Sequence, residues 1–315
     1  MMARVLPDRL CEGDCVAVVS PGGAPDPDAL EAGVEVLRGR GLKVQVGPHA
    51  LDRYGYLAGA DRDRAADMMQ AFLDPGVKAI FCARGGVGCA RMLPYLDLPA
   101  IAARPKVFVG YSDVTILHLA IERAGGWPTF YGPMVATELG PGLCPECIEL
   151  LWRLISRAEP AGSVACPGVA AQHRCLVPGA AEGVLTGGTL CLLDSSIGTA
   201  YAMDAAGKIL VLEDSHETPW RVDRMLTHLA HAGALDGVAG FAIGSLVSIV
   251  DEPEEPSLSV EQSLLDHLQA LGRPVLYGVP FGHIDAPLTL PLGCRARLDA
   301  VAGTIEVLEP AVQDV

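Results

Sequence analysis

The chain has 315 residues, half of them hydrophobic, and its 23 Lys and Arg against 38 Asp and Glu give a formal net charge of -15. This charge repels phosphate groups, so neither nucleic acid nor an anionic membrane surface is expected as a partner. No run of about 18 apolar residues predicts a membrane span, and charged residues interrupt the first twenty positions, so no export signal is expected. Ten cysteines in such a chain indicate reduced thiols in the cytoplasm.

Short apolar runs alternate with helical patterns in the first part of the chain. The strand and helix pairs are 15–20 with 28–40, 43–46 with 61–73, 78–83 with a short helix from Val87, and 106–110 with 114–124. This alternation predicts a parallel sheet with helices on both faces, and ligands bind at the carboxyl ends of such strands. Notable loops follow three of them: Ser20–Gly23, Arg84–Gly88 and Gly110–Asp113.

The second part of the chain has a different pattern. After a helical segment near 147–156, residues 158–178 are rich in Ala, Gly and Pro and are predicted to be a linker. Strand patterns follow at 183–186, 209–213, 238–243, 275–279, 296–299 and 304–308, with helical patterns at 220–231 and 260–271. We therefore expect an α/β domain at 1–157, a linker at 158–178, and a smaller β-rich α+β domain at 179–315.

A serine stands where the fourth of these first strands turns into a helix. The apolar run ends at Gly110, and Tyr111, Ser112 and Asp113 precede the helical pattern. A serine on a sharp strand-to-helix turn is exposed like a nucleophile, close to N–H groups that can stabilise an oxyanion. The simpler interpretation is that Ser112 or Asp113 caps the helix. The local sequence alone favours the cap.

A nucleophilic serine needs a basic histidine, and that histidine needs an acceptor to orient it. His283 follows a strand pattern in a glycine-containing loop, a common place for catalytic groups. Glu213 ends another apolar strand, although it could instead pair with Arg221 or act as a cap, and His216 is a rival base from the same loop. Ser112, Glu213 and His283 together predict a triad assembled in a cleft between the two domains.

Cys144 and Cys147 have the C-x-x-C spacing of a metal or redox pair. No second C-x-x-C or C-x-x-H pair complements them, so a zinc site is not expected. The role of this pair is left open.

Six short blocks, in order along nearly the whole chain, resemble the bacterial L,D-carboxypeptidase family of serine peptidases, which also contains microcin-immunity peptidases. The blocks are Tyr56–Gly59 with the arginine-rich helix after it, Ala83–Gly88, Gly110–Asp113, Leu185–Leu190, Val211–Glu217 with Arg221–Leu226, and Gly282-His283 before Leu290–Gly293. One departure is Thr189, where the family has asparagine in its Gly-Gly-Asn-Leu block.

The resemblance implies a flavodoxin-like N-terminal domain, a smaller β-rich C-terminal domain and a Ser-His-Glu triad. By this match Ser112 is the nucleophile, His283 the general base, Glu213 the orienting carboxylate, and the backbone N–H groups of Gly86 and Asp113 the oxyanion donors. It also implies a cytoplasmic homodimer that releases the terminal D-Ala of the murein tetrapeptide in peptidoglycan recycling. This chemistry needs neither a metal nor an organic cofactor.

A carboxypeptidase must also bind a free carboxylate, and Arg84 with Gly85 is the candidate for this role, although Arg84 could equally form a structural ion pair. Two other functions are considered. The first is hydrolysis of peptidyl or acyl-sulfamoyl adenylates, for which Trp127, Trp152 or Trp220 would supply an aromatic platform, although the block Glu217–Leu226 around Trp220 resembles the carboxypeptidase branch of the family. The second is a ligand-binding protein without enzymatic activity that uses the same glycine-rich loops.

Overall fold

The computed structural model describes residues 5–164, 173–247 and 256–314. The strands in these residues are β1 (Cys15–Val19), β2 (Lys43–Val46), β3 (Val77–Cys82), β4 (Val107–Gly110), β5 (Thr129–Tyr131), β6 (Gly162–Ser163), β7 (Arg174–Val177), β8 (Ala180–Thr189), β9 (Ile209–Ser215), β10 (Gly240–Val247), β11 (Val275–Tyr277), β12 (Leu290–Leu292), β13 (Arg295–Asp299) and β14 (Thr304–Val307). The α-helices are α1 (Pro27–Gly39), α2 (Asp61–Leu73), α3 (Cys89–Met92), α4 (Leu98–Ala102), α5 (Thr115–Gly125), α6 (Pro145–Ser156), α7 (Leu190–Ser196), α8 (Pro219–His231) and α9 (Val260–Leu268).

The described residues divide into two compact units. The first contains residues 5–160, 289–293 and 310–314, and the second contains the described residues within 161–288 and 294–309. Two short pieces from the end of the chain thus belong to the first unit. One of them is β12, which pairs antiparallel with β5.

The first unit has a six-stranded sheet in the order β12-β5-β4-β3-β1-β2. Strands β1 to β5 are parallel, and their order 2-1-3-4-5 is that of the flavodoxin-like fold. Strands β3 and β4 are almost entirely buried, because helices cover both faces of such a sheet and leave little room for polar side chains. The fold class expected for this part of the chain is confirmed.

Helix α1 begins where the sequence supplies both a capping carboxylate and a proline. The Asp26 side chain accepts hydrogen bonds from the backbone N–H groups of Asp28 and Ala29, and Pro27 occupies the first turn. Since the first N–H groups of a helix have no partner within the helix, this arrangement fixes its start. Helix α5, which follows β4, buries every residue from Thr115 to Ile121.

The second unit has an eight-stranded sheet in the order β6-β14-β13-β8-β9-β10-β11-β7. The central strands β8, β9, β10 and β11 are parallel, and the outer strands pair antiparallel. The β-rich α+β architecture expected for this part is therefore confirmed. No helix in the described ranges is both long and apolar enough to cross a bilayer.

The predicted linker needs correction. Residues 165–172 of it lie outside the described residues, but β6 and β7 both fall within 158–178 and form the two edges of the second sheet. An edge strand pairs on one side only and can be short and exposed, as β7 is here. It therefore forms without the alternating apolar pattern by which strands are recognised in a sequence.

Candidate functional site

Ser112 lies on a strained turn directly after β4. Its φ is 64°, and among the described residues other than glycine only His216 also has a positive φ. This backbone conformation is costly for a residue with a Cβ and is found most often at functional sites. Helix α5 begins only at Thr115 and has no side-chain cap. The interpretation of Ser112 or Asp113 as the cap of this helix is therefore wrong.

Two glycine loops pack against the Ser112 turn. A Cβ on Gly85 would lie 2.8 Å from Ser112 Cβ and 3.0 Å from Ser112 Oγ. The Gly85 carbonyl accepts a hydrogen bond from Gly23 N–H at 2.7 Å. Gly86 has a φ of 87°, and a Cβ there would lie 3.2 Å from the Gly23 nitrogen. Only glycine allows these backbones to approach so closely.

The carboxylate of Asp113 ties the Ser112 turn to the loop after β3. Its Oδ2 accepts a hydrogen bond from Cys89 N–H at 2.7 Å, at the start of α3. Burial raises the pKa of Asp113, and the Cys89 N–H counteracts part of that rise. The side chain of Asp113 thus holds together the two segments whose N–H groups, those of Gly86 and Asp113, are the predicted oxyanion donors.

Two tyrosines support the same turn. The Tyr111 hydroxyl donates to Glu138 Oε1 at 2.6 Å, and Glu138 Oε2 accepts Met134 N–H at 2.8 Å. The Tyr131 hydroxyl accepts a long hydrogen bond, 3.4 Å, from Ser112 N–H. The two tyrosine rings pack edge to face with centroids 5.9 Å apart. The Ser112 turn is therefore held on two sides by hydrogen-bonded tyrosine side chains.

His118 is buried behind the turn and braces the end of β4. Its Nε2 donates to the Gly110 carbonyl at 2.9 Å, and its Nδ1 faces the Thr129 hydroxyl at 2.8 Å. Desolvation lowers the pKa of His118 to about 4, and the Gly110 carbonyl only partly counteracts it. His118 is therefore neutral at pH 7 and acts as a structural group.

Arg64, from the arginine-rich helix α2, is fully buried and joins three segments around the glycine loops. Its guanidinium donates to the carbonyl of Pro21, to the carbonyl of Gly88 at 3.0 Å, and to Asp61. Five N–H donors in a fixed plane suit a side chain that must satisfy several acceptors at once. Arg64 thereby connects the loop after β1 with the loop after β3.

In the second unit, Glu213 and His283 form a direct pair. Glu213 is completely buried in β9, and its Oε2 lies 2.7 Å from His283 Nδ1 and 3.2 Å from His283 N. The other oxygen, Oε1, accepts from the Thr189 hydroxyl at 2.8 Å. Because the carboxylate accepts at Nδ1, the proton sits there and Nε2 keeps its lone pair. This is the tautomer that a general base requires.

Strand register and a glycine create this pair. Thr189 and Glu213 are register partners on the parallel strands β8 and β9, so their side chains project from the same face of the sheet. Gly282 has a φ of 91°, and a Cβ at this position would collide with the Glu213 carboxylate. Glycine is therefore needed where the His283 loop passes over the buried carboxylate.

The remaining candidates have other surroundings. His216 is exposed, and Arg221 pairs with Glu217 at 3.4 Å. Arg84 is exposed, and its Nη1 donates to the Ala24 carbonyl at 2.9 Å. The pair predicted from the sequence, Glu213 with His283, is thus brought together within the second unit. Ser112 belongs to the first unit.

Clusters of three possible metal ligands occur at two places among the described residues. They are His49 with Asp52 and Asp63, and Cys191 with Asp214 and Glu217. Asp214 already accepts the backbone N–H groups of Cys191 and Ser215, both at 2.8 Å. Burial raises the pKa of Asp214 to about 6. Neither cluster contains Cys144, Cys147 or a residue of the predicted triad.

Comparison with known proteins identifies both halves of the chain. Residues 16–132 match the model of the LD-carboxypeptidase N-terminal domain, and residues 182–298 match that of the LD-carboxypeptidase C-terminal domain. The chain is 38% identical to the probable murein peptide carboxypeptidase of Bacillus subtilis, over 98% of this chain and 95% of the relative. It is 34% identical to the murein tetrapeptide carboxypeptidase of Pseudomonas aeruginosa, over 90% of this chain and 92% of the relative.

Solved structures agree with the sequence relatives. The muramoyltetrapeptide carboxypeptidase of Oxalobacter formigenes superposes with a TM-score of 0.81 at 29% identity, covering 96% of this chain and 100% of the other. The microcin C7 self-immunity protein MccF, in complex with aspartyl sulfamoyl adenosine, superposes with a TM-score of 0.89 at 26% identity. The match covers 98% of this chain and 100% of the other.

Together these findings define a serine-type carboxypeptidase. The chain belongs to the LD-carboxypeptidase family, peptidase family S66. The alternative of a ligand-binding protein without enzymatic activity is therefore wrong.

Several supporting residues could not be found from the sequence. Glu138 and Tyr131 contact the Ser112 turn from other elements, and no local motif marks them. His118 and Arg64 lie on helices that the sequence predicts, but nothing in those helical patterns indicates the contacts that these two side chains make. Thr189 was visible only as a departure from the family block. In the structure, its hydroxyl donates to Glu213.

Proposed function

We propose that this enzyme releases the terminal D-alanine from murein tetrapeptides in cytoplasmic peptidoglycan recycling, acting as a homodimer. Ser112 is the nucleophile, His283 the base and Glu213 the group that orients His283. The observation that carries this proposal is the contact of 2.7 Å between the buried Glu213 carboxylate and His283 Nδ1. The names of the murein peptidase relatives support the substrate class.

The proposed reaction has two halves. In the first, Ser112 Oγ attacks the carbonyl carbon of the scissile bond while His283 Nε2 takes the hydroxyl proton. The tetrahedral oxyanion accepts hydrogen bonds from the backbone N–H groups of Gly86 and Asp113. The intermediate collapses when His283 returns the proton to the departing amine of D-alanine, which leaves an acyl-enzyme on Ser112.

In the second half, water attacks the acyl-enzyme and His283 Nε2 takes its proton. Collapse of the second tetrahedral intermediate releases the shortened peptide and returns the proton to Ser112. The Glu213 carboxylate stabilises the imidazolium in both halves, which a neutral acceptor would do less well. Arg84 remains the candidate partner for the free carboxylate of the substrate, with Gly85 forming the wall beside the scissile carbonyl.

The test is the Ser112→Ala variant with purified murein tetrapeptide, with D-alanine release followed by mass spectrometry. We expect loss of release with a folded protein, as judged by circular dichroism. The exposed Ser195 provides a matched control, because its hydroxyl bonds to Leu192 O in its own helix, and Ser195→Ala should retain full activity. Undiminished release by Ser112→Ala would refute the proposed nucleophile.

A second candidate function is hydrolysis of acyl-sulfamoyl or peptidyl adenylates. It is favoured by the likeness to MccF bound to aspartyl sulfamoyl adenosine and by Trp220, whose side chain is exposed. Arg221 and Arg224 lie over the Trp220 ring, with the guanidinium carbons 5.4 and 5.1 Å from its centroid. Trp127 and Trp152 are buried and unavailable to stack on a base. Turnover of tetrapeptide and of an acyl-sulfamoyl adenylate in parallel assays distinguishes the two functions.

A further inference from the structure

The pair Cys144 and Cys147 lies at the start of α6, in the first unit. Cys144 is the N-cap of this twelve-residue helix, and its sulfur accepts a hydrogen bond from Cys147 N–H at 3.4 Å. Cys144 is partly exposed, whereas Cys147 is completely buried. The two cysteines therefore differ in access to solvent while lying across one turn of the same helix.

This geometry suits the formation of a disulfide bond. Cα atoms three residues apart in a helical turn lie about 5 Å apart, within the range of about 4.4–6.8 Å that a disulfide spans. The hydrogen bond from Cys147 N–H turns the Cys144 sulfur over the first helical turn, toward the residue it would join.

Four other cysteines in the described residues lack this combination. Cys82 and Cys89 are buried, and desolvation raises the pKa of both thiols. Burial and the neighbouring Asp214 raise the pKa of the Cys191 thiol. Cys175 is exposed, but no other cysteine lies within three residues of it along the chain.

We propose that Cys144 and Cys147 are a redox-active dithiol, in which Cys144 attacks low-molecular-weight disulfides and Cys147 resolves the resulting mixed disulfide. The Cys144 thiolate attacks one sulfur of the disulfide, forms a new S–S bond and expels one thiolate. Cys147 then loses its proton and attacks the Cys144 sulfur, which expels the second thiolate. The dithiol is oxidised by two electrons to an intramolecular disulfide, and the small disulfide is reduced to two thiols.

Glutathione disulfide is the probe, and the tryptic peptide 124–153 is the readout. This peptide contains Cys144 and Cys147 and no other cysteine, so its mass reports on the pair alone. The folded enzyme is incubated with the probe, quenched with acid, alkylated and digested. We expect the peptide to lose two hydrogens and to escape alkylation, and dithiothreitol should reverse both changes.

Three variants separate the two roles. Cys147→Ala should stop at the mixed disulfide, so that peptide 124–153 carries one glutathione. Cys144→Ser should leave the peptide unmodified, because the remaining Cys147 thiol is buried, and serine preserves the cap of α6. Cys175→Ser is the matched control and should behave as the parent.

In the parent protein, Cys175 also monitors the reactivity of the probe, because it is an exposed thiol outside the pair. If the probe modifies Cys175 while peptide 124–153 stays reduced, the proposal is wrong. It is equally overturned if Cys144→Ser and Cys147→Ala acquire the same glutathione adduct, because the two thiols would then be equivalent.

Discussion

A single methyl group on Gly85 should disable the enzyme without disturbing its fold. The Cβ of Gly85→Ala would lie 2.8 Å from Ser112 Cβ and 3.0 Å from Oγ, whereas carbon atoms in contact normally lie about 3.5–4.0 Å apart. The overlap of about 1 Å has to be relieved by movement of the Ser112 turn. A displacement of this size in a catalytic group costs on the order of 10²-fold in rate, or about 2.7 kcal/mol in activation free energy.

The assay measures kcat and KM for release of D-alanine, and separately the rate at which a fluorophosphonate labels Ser112. Labelling does not depend on tetrapeptide binding, so a parallel fall in both rates locates the defect at the serine. Gly39→Ala is the matched control, because a Cβ there has no atom within 4 Å and alanine favours the helix. Rates for Gly85→Ala within a few-fold of the parent would refute the steric argument.

Two further predictions concern Glu213 and His118. Glu213→Gln keeps the shape but removes the charge beside the His283 ring, so turnover should fall on the order of 10³ to 10⁴-fold; a change of only a few-fold, measured by the same D-alanine assay, would make Glu213 structural. His118 has a folded pKa of about 4 against 6.5 in a free side chain, so the unfolded chain binds the extra proton between these values. The contribution of neutral His118 to the free energy of unfolding should therefore be fully present above about pH 6.5. It should fall by on the order of 3 kcal/mol as the pH drops to about 4. Urea unfolding should show a weaker pH dependence in His118→Gln, and an equal dependence in both proteins would contradict this cause.

Much of the fold could be predicted because its signals are local. Buried parallel strands are continuous apolar runs, and the helices between them have apolar residues at helical spacing. The same apolar runs show where each strand ends, and so they predict that Ser112, Glu213 and His283 lie at or just after strand ends. The family blocks added the resemblance, and both domain matches confirm the family.

The supporting contacts could not be predicted because they join residues that are distant in sequence. Glu138 reaches Tyr111 from a separate turn, and Arg64 bonds to Pro21 and Gly88 across two loops. The edge strand β7 lacks an alternating apolar pattern, and it lies in a segment rich in Ala, Gly and Pro, a composition that predicts a linker.

The sequence by itself determined the class of each domain, the family and the residue types available for catalysis, because periodicity and motif order are properties of the chain. Only the tertiary structure decided that Ser112 has a strained φ of 64° and does not cap a helix. It also decided that Glu213 bonds to His283, whereas Arg221 pairs with Glu217. Both outcomes depend on backbone approach: the first on Gly85 against Ser112, and the second on Gly282 over Glu213. Such distances are set by the packing of loops from separate strands.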